Sequence, residues 1–232
     1  MVGVPHSGAC SICGGSFIIK QGKQKDDKAN EREGDTMKKI ITISREFGSG
    51  GRTIGREVAK RLGYSFYDKE LIEKIAEESG LSEEYIEEHG ESSPGKSYFG
   101  YAFVGRDISG SSVGDYLWKA QRDIIERLAE KGECVIVGRC ADYILRERTD
   151  CLHVFIHSDT EKKKERIVNL YGETGISPEK RLLEKDRTRA MNYKYYTDRT
   201  WGMAGSYHLS LDSGELGEER CVGLITELAR GL

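Results

Sequence analysis

The sequence predicts an α/β fold of three layers, in which a parallel sheet of about five strands has helices on both faces. Short runs of aliphatic and β-branched residues alternate along the chain with longer segments of helical periodicity. A glycine-rich turn joins the first of these strands to the first helix. Parallel strands need crossover connections, usually helices, and these cover both faces of the sheet.

The composition suits one α/β domain. The 232 residues are 32% charged and 37% apolar, and the formal net charge is −3. This charge gives no indication of binding to nucleic acid or to an anionic membrane. Apolar runs stay short of the roughly 20 residues of a membrane helix, and the N-terminus lacks the apolar core of a signal peptide. We therefore expect a cytoplasmic protein, a monomer or weak homodimer, with neither nucleic acid nor membrane as partner.

Residues 1–36 differ in composition from the rest of the chain. They are rich in Gly, Lys, Gln and acidic residues, and their second half is almost free of apolar side chains. Such a segment buries too little apolar surface to offset its ordering entropy, so we predict a disordered extension and one domain over 37–232. Cys10 and Cys13 resemble half of a zinc knuckle, but a structural zinc takes four ligands and His6 is the one candidate nearby. We expect no metal site there.

The first half of the domain contains two strand–helix units. The first strand, 39–44, is Lys-Ile-Ile-Thr-Ile-Ser, and the glycine-rich turn leads from it into a helix over 52–62. The aromatic run 64–67 forms a second strand and leads into a helix over 69–79. Residues 90–113 are rich in Gly, Ser and aromatic side chains, so we predict a substrate-binding loop there.

The second half continues the alternation. A helix over 114–131 has its apolar residues on one face and ends at Gly132. Two apolar runs, 134–137 and 152–156, form the next strands. The remaining predicted elements are helices over 159–170 and 178–195, a strand over 207–211 and a helix over 216–229. The cysteines expected to be buried free thiols are Cys134, Cys140, Cys151 and Cys221.

The glycine-rich turn has the composition of a phosphate-binding loop. Glycines let backbone amides turn toward an anion, and the helix N-terminus adds unpaired N–H groups and partial positive charge. The predicted phosphate-binding residues are Gly48, Ser49, Gly50, Gly51, Arg52 and Thr53. The alternative is a glycine-rich turn that binds no ligand. The turn departs from the pattern G-x-x-x-x-G-K-[ST], because Arg45 stands at the first glycine position and Gly51 at the lysine position.

Several segments, in this order, resemble the cytidylate kinases. The run 52–68 resembles the P-loop helix, Leu-Gly-Tyr turn and aspartate-ended strand of that family. Segments 117–122 and 135–139 resemble its Gln-Arg helix and Gly-Arg turn, and 182–190 resembles its arginine-rich lid. The similarity covers about 38–231. The chain is most similar to the divergent cytidylate kinase-like branch, in which Ile-Ser-Arg-Glu-Phe-Gly-Ser-Gly-Gly replaces the usual loop.

The resemblance implies a P-loop NTPase-like fold with a helical lid over about 172–202. It also implies ATP-dependent phosphoryl transfer to a nucleoside monophosphate, with CMP or dCMP as the favoured acceptor. ATP and its bound Mg²⁺ are the implied cofactors, and nucleotides are the implied partners. Transfer needs several converging cations, because negative charge spreads over the moving group. The residues with implied catalytic roles are Arg52, which replaces the P-loop lysine, Arg139, Arg187 and Arg189. The implied acceptor-binding residues are Asp68, Lys74 and Asp186.

Structural roles stay open for several of these side chains. Arginines of a lysine-rich helix are often solvated surface residues, and the position of Lys74 favours an exposed helix lysine. Asp186 suits an ion pair with a neighbouring lid arginine. The aromatic residues after the lid arginines favour packing of the lid on the core over stacking on a base. These residues are Tyr193, Tyr195, Tyr196 and Trp201.

Departures from the family pattern leave two functions open. Lysine is absent at Gly51, Lys69 stands where the family has a cytosine-contacting serine, and Gly114 stands where an arginine is expected. One function is an active nucleoside monophosphate kinase. The other is a nucleotide- or phosphate-binding regulatory module of the same fold. No Ser-His-Asp pattern or metal-ligand spacing indicates a hydrolase, and the histidines are dispersed.

Overall fold

Five strands form a parallel sheet in the described part of the chain. The computed structural model describes residues 37–84, 86 and 113–231, so the predicted extension 1–36 and nearly all of the predicted loop 90–113 lie outside the described residues. The strands are β1 Ile40–Arg45, β2 Ser65–Tyr67, β3 Cys134–Val137, β4 Cys151–His157 and β5 Leu209–Asp212.

The strand order is β2-β3-β1-β4-β5, and every neighbouring pair is parallel. β1 lies at the centre, where Ile43 pairs with Val137 of β3 and with Val154 of β4. β1, β3 and β4 are buried along almost their whole length, as parallel strands covered on both faces must be. The prediction of a parallel sheet of about five strands is confirmed.

The helices follow the predicted order. Their bounds are α1 Gly51–Leu62, α2 Lys69–Ser79, α3 Val113–Glu130, α4 Ala141–Ile144, α5 Thr160–Tyr171, α6 Pro178–Thr197, α7 Ser213–Leu216 and α8 Glu218–Arg230. The short helices α4 and α7 are not among the predicted elements, because four residues are too few to show a helical period. None of the helices in the described ranges has both the length and the apolar character to cross a membrane.

These helices cover both faces of the sheet. α1 and α8 pack together on one face, over a cluster that includes Ile41, Ile43 and Ile225. α2, α3 and α4 cover the other face, over a cluster that includes Ile40 and Ile125. Successive residues of β1 thus point into different clusters, as the two-residue period of a strand requires. The predicted three-layer α/β fold is confirmed.

The four predicted core thiols are buried and free. Burial raises the pKa of both Cys134 and Cys151 to about 12. These thiols therefore stay protonated near neutral pH and behave as small apolar side chains.

The connections after β1 and β3 leave the sheet toward opposite faces. β1 continues into α1, on the face of α8, whereas β3 continues into α4, on the face of α2 and α3. Adjacent strands whose connections diverge in this way open a crevice at their carboxyl ends, where open α/β sheets bind ligands. We therefore expect a ligand site in the crevice between β1 and β3.

Candidate active site

The turn 46–50 joins β1 to α1 at this crevice. The Ser49 hydroxyl donates to the Glu46 carbonyl at 2.9 Å, which closes the turn on itself. Gly48 and Gly50 have φ angles of +82° and +78°, a conformation that a residue with a Cβ adopts only at a cost. The predicted glycine-rich turn between strand and helix is present, and the N-terminus of α1 opens directly from it.

Two open clefts lie along the turn and the crevice. The first, of about 530 Å³, is lined by the turn, by the start of α1, and by Arg166 of α5 and Arg189 of α6. The second, of about 310 Å³, is lined by the ends of β1 and β3 and by Arg139 and Tyr193. Arg45 and Arg189 line both clefts. Two guanidinium groups therefore lie where the clefts meet.

Asp68, at the junction of β2 and α2, contacts two guanidinium groups. Arg52 Nε lies 2.5 Å from Asp68 Oδ2, and Arg45 Nη2 lies 4.0 Å from Asp68 Oδ1. Asp68 and Arg45 are buried, whereas the Arg52 side chain is 43% exposed. Arg52 and Asp68, predicted for the nucleotide phosphates and for the acceptor, are thus in direct contact.

Asp186 of α6 binds the glycine-rich turn. Its Oδ1 accepts a hydrogen bond from the Phe47 amide at 2.7 Å. Lys163 Nζ donates to Glu46 Oε2 at 2.7 Å and lies 3.8 Å from Asp186 Oδ2, and Arg189 Nη1 lies 3.8 Å from Asp186 Oδ1. Burial raises the pKa of Asp186, although the Phe47 amide and the two cations oppose that rise. The expected ion pair with a lid arginine is present, and it extends to the turn itself.

The two lid arginines point in different directions. Arg189 Nη1 donates to the Arg45 carbonyl at 3.2 Å, and its guanidinium carbon lies 5.9 Å from the centre of the Phe47 ring. Arg187 is exposed and lines neither cleft. Two residues on a helix differ by about 200° in direction, which accounts for the difference. The predicted role of Arg187 stays a prediction.

Arg139 lies in a strained turn after β3. Gly138, Arg139 and Cys140 all have positive φ angles, of 76°, 57° and 54°. Non-glycine residues pay for this conformation, and such strain is often kept at functional sites. Gln121 Nε2 donates to the Arg139 carbonyl at 3.0 Å, and Arg139 Nη1 donates to the Ile86 carbonyl at 3.0 Å. The Gln-Arg helix and the Gly-Arg turn are therefore linked by a hydrogen bond.

A buried carboxyl group, Asp142 of α4, joins the lid helix to the sheet. Ser44 Oγ donates to Asp142 Oδ1 at 3.1 Å, and the Tyr193 hydroxyl donates to Oδ2 at 2.7 Å. Burial raises the pKa of Asp142, and both hydrogen bonds oppose the rise. Burial and the neighbouring carboxylate also raise the pKa of Tyr193, so its hydroxyl stays a donor. Tyr193 therefore packs the lid helix on the core, the role that the sequence favoured over stacking on a base.

The profile of the cytidylate kinase-like family matches residues 40–215. The chain belongs to this family. A comparison with curated proteins finds no match.

Among solved structures, this cytidylate kinase-like chain is similar to an uncharacterized protein from Eubacterium ventriosum. The TM-score is 0.62 at 23% identity, over 82% of this chain and 97% of that one, which shows a shared fold. Two weaker similarities are to shikimate kinases. That of Acinetobacter baumannii, solved with shikimate, has a TM-score of 0.49 at 16% identity, over 84% and 95% of the two chains. That of Bacteroides thetaiotaomicron has a TM-score of 0.49 at 19% identity, over 82% and 96%.

Family membership supports a kinase-type enzyme that acts on a nucleotide or another small molecule. Of the acceptor positions expected in a cytidylate kinase-like protein, Asp68 is buried beside two arginines, whereas Lys74 lies on α2 and lines neither cleft. Gly114 accepts a hydrogen bond from the Tyr196 hydroxyl at 3.2 Å, and the Tyr196 ring stacks on Trp118 at 4.3 Å. Tyr196 therefore packs α6 against α3.

Sequence reasoning missed five charged residues of the site. They are Arg45, Glu46, Asp142, Lys163 and Arg166. Lys163 and Arg166 lie in the highly charged run Thr160-Glu-Lys-Lys-Lys-Glu-Arg166, where nothing local separates a site residue from a surface one. For Arg45 a signal was present, since it occupies the position of the first P-loop glycine.

Proposed function

We propose that the protein transfers the γ-phosphoryl group of ATP, bound with Mg²⁺, to a nucleoside monophosphate. The observation that carries the proposal is the pair of clefts that share Arg45 and Arg189. A donor over the glycine-rich turn and an acceptor in the second cleft would meet between these two side chains. Cations at that point would stabilise the charge that develops during transfer.

The chain's own residues divide the work between the two clefts. Amides of the turn and the start of α1, with Arg52 and Thr53, suit the donor phosphates. Arg139, at the carboxyl end of β3, suits the acceptor, and Arg189 suits the group in transit. Mg²⁺ arrives with ATP and neutralises its phosphate charge. Closure of the lid, about 172–202, would exclude water, so that ATP is transferred and not hydrolysed.

CMP and dCMP are the first acceptors to test, on the resemblance alone. A coupled assay with ATP, Mg²⁺ and a panel of nucleoside monophosphates, with shikimate as an unrelated acceptor, measures the preference as kcat/KM. We expect one or two pyrimidine monophosphates to exceed the others by at least 10-fold. Comparable rates with every nucleotide, or a rate with shikimate alone, would contradict a cytidylate acceptor.

A regulatory module that binds nucleotide without efficient transfer is the second candidate. Two observations favour it. Lysine is absent at Gly51, and the Asp186 carboxylate is bound to the Phe47 amide, a group that a phosphate cradle would offer to its ligand. Tight binding of MgATP together with no transfer to any acceptor would establish this function instead.

Replacing Arg52 with alanine is expected to weaken MgATP binding by about 1.5–3 kcal/mol, the range for hydrogen bonds to charged groups. The buried Asp68 carboxylate would keep Arg45 nearby, at 4.0 Å, so the variant should fold. Calorimetric titration measures the change, and Lys60→Ala, on the same helix and exposed, is the control. An affinity equal to that of the unmodified protein would remove Arg52 from the phosphate site.

A further inference from the structure

Two departures from the P-loop pattern lie in contact with each other. Arginine replaces the first glycine at position 45, and glycine replaces the lysine at position 51. A Cβ placed on Gly51 would lie 2.5 Å from Arg45 Cβ and 3.1 Å from Arg45 Cγ. Two side chains cannot share that space, so Arg45 requires a residue without a side chain at position 51. Relative to the P-loop pattern, a side chain at position 51 is thus exchanged for one at position 45.

We propose that Arg45 supplies the positive charge that the P-loop lysine supplies elsewhere, and that Gly51 is the residue that admits it. This inference rests on the proposed function, and it replaces the expectation that Arg52 stands in for the lysine. Arg45 is the last residue of β1, and its side chain passes directly beside the first residue of α1, where the lysine would begin. It then lines both clefts. The positive charge is thus attached to the end of β1 and not to the start of α1, but it reaches the same clefts.

The surroundings of Arg45 suit a charge that acts on a transition state. The residue is 8% exposed, and its guanidinium lies 4.0 Å from Asp68. A buried charge acts more strongly than one in water, and a fixed one needs no reorganisation as the reaction proceeds. Arginine also keeps its charge when buried. The backbone of Arg45 is held by Arg189, which donates to its carbonyl.

Arg52 is placed differently. It is the second residue of α1, so its side chain leaves the helix about 100° from that of Gly51. It is 43% exposed and bound at 2.5 Å to Asp68. This placement suits contact with a bound nucleotide at the mouth of the cleft. Loss of Arg52 is therefore expected to act on affinity, and loss of Arg45 on turnover.

A mutant cycle over the two exchanged positions tests the inference. Its members are the unmodified chain, Arg45→Gly, Gly51→Lys and the double variant Arg45→Gly/Gly51→Lys, with Arg52→Ala for comparison and the exposed Arg127→Ala as a surface control. Thermal unfolding, MgATP and MgADP calorimetry, and kcat and KM are measured for each. We expect Gly51→Lys alone to unfold at a markedly lower temperature, because its side chain meets Arg45. The double variant should recover most of that loss.

For the reaction, Arg45→Gly is expected to lower kcat by roughly 10²–10³-fold with a smaller change in KM for ATP. The double variant should regain at least 10-fold of that kcat, because lysine returns in the place of arginine. Arg52→Ala should change KM more than kcat. If Arg45→Gly turns over normally while Arg52→Ala does not, the lysine's role belongs to Arg52 and the inference is overturned. Equal stability of Gly51→Lys and the unmodified chain would overturn the steric exchange.

Failure of the proposed function would be seen separately, as absence of transfer by the unmodified chain. Calorimetry then decides the inference, because the P-loop lysine contacts the β- and γ-phosphates. A loss of the preference for MgATP over MgADP in Arg45→Gly supports it. An unchanged preference, or the absence of nucleotide binding by the unmodified chain, overturns it.

Discussion

Replacing Arg189 with alanine is expected to lower turnover by roughly 10²-fold or more, with a smaller effect on substrate affinity. Arg189 lines both clefts, and its side chain is only 15% exposed. Its planar guanidinium can hold two phosphate oxygens at once and keeps its charge. As the phosphoryl group moves between the clefts, negative charge spreads over its oxygens, so this contact strengthens toward the transition state.

Steady-state kcat and KM, together with single-turnover rates, measure this effect and separate chemistry from product release. Arg189→Lys keeps the positive charge but loses the forked guanidinium, so its kcat should lie between those of the unmodified protein and Arg189→Ala. Lys180→Ala, an exposed lysine on the same helix, is the matched control. Thermal unfolding must accompany the kinetics, because Arg189 also donates to the Arg45 carbonyl. Normal turnover in folded Arg189→Ala would contradict a catalytic role, and Arg189 would then only pack the lid on the turn.

Acidification is expected to destabilise the fold through His153. Burial, with the nearby His208 and Lys38, lowers the pKa of His153 from 6.5 to about 4. Its Nδ1 lies 2.8 Å from the Thr42 hydroxyl, and its buried Nε2 has no hydrogen-bond partner among the described residues. A second proton on the ring would therefore be poorly accommodated. Burial also lowers the pKa of His208, which stacks on His153 at 4.8 Å.

Between pH 6.5 and 4 the unfolded chain binds a proton at this histidine that the native protein does not bind. The free energy of unfolding should therefore fall as the pH decreases through this window, by about 3 kcal/mol from His153 alone. Urea unfolding at a series of pH values measures it. His153→Gln should flatten the dependence, and His157→Gln, on the same strand and more exposed, controls for the removal of a histidine as such. Equal slopes for His153→Gln and the unmodified protein would contradict this origin.

The positions of the strands and helices could be predicted because their signals are local. Apolar runs such as Cys134-Val-Ile-Val137 mark buried strands, and the one-sided apolar face of α3 marks a helix. The glycine-rich turn could be predicted as well, because Gly48 and Gly50 take backbone conformations that other residues avoid. The glycines, however, indicate only where a phosphate-binding loop could lie, and they do not predict which charged side chains surround it.

The sequence by itself therefore determined the order of the elements, the three layers and the place of the glycine-rich turn, since each depends on residues close together in the chain. The tertiary structure alone decided which charges meet there. Asp186 reaches the Phe47 amide across 139 positions, and Lys163 reaches Glu46 across 117. The proposal that Arg45 and not Arg52 replaces the lysine rests on the packing of Arg45 against Gly51, where a Cβ would lie 2.5 Å from Arg45 Cβ. Residue type and period state what a side chain can do, whereas packing and steric exclusion decide which side chain reaches the site.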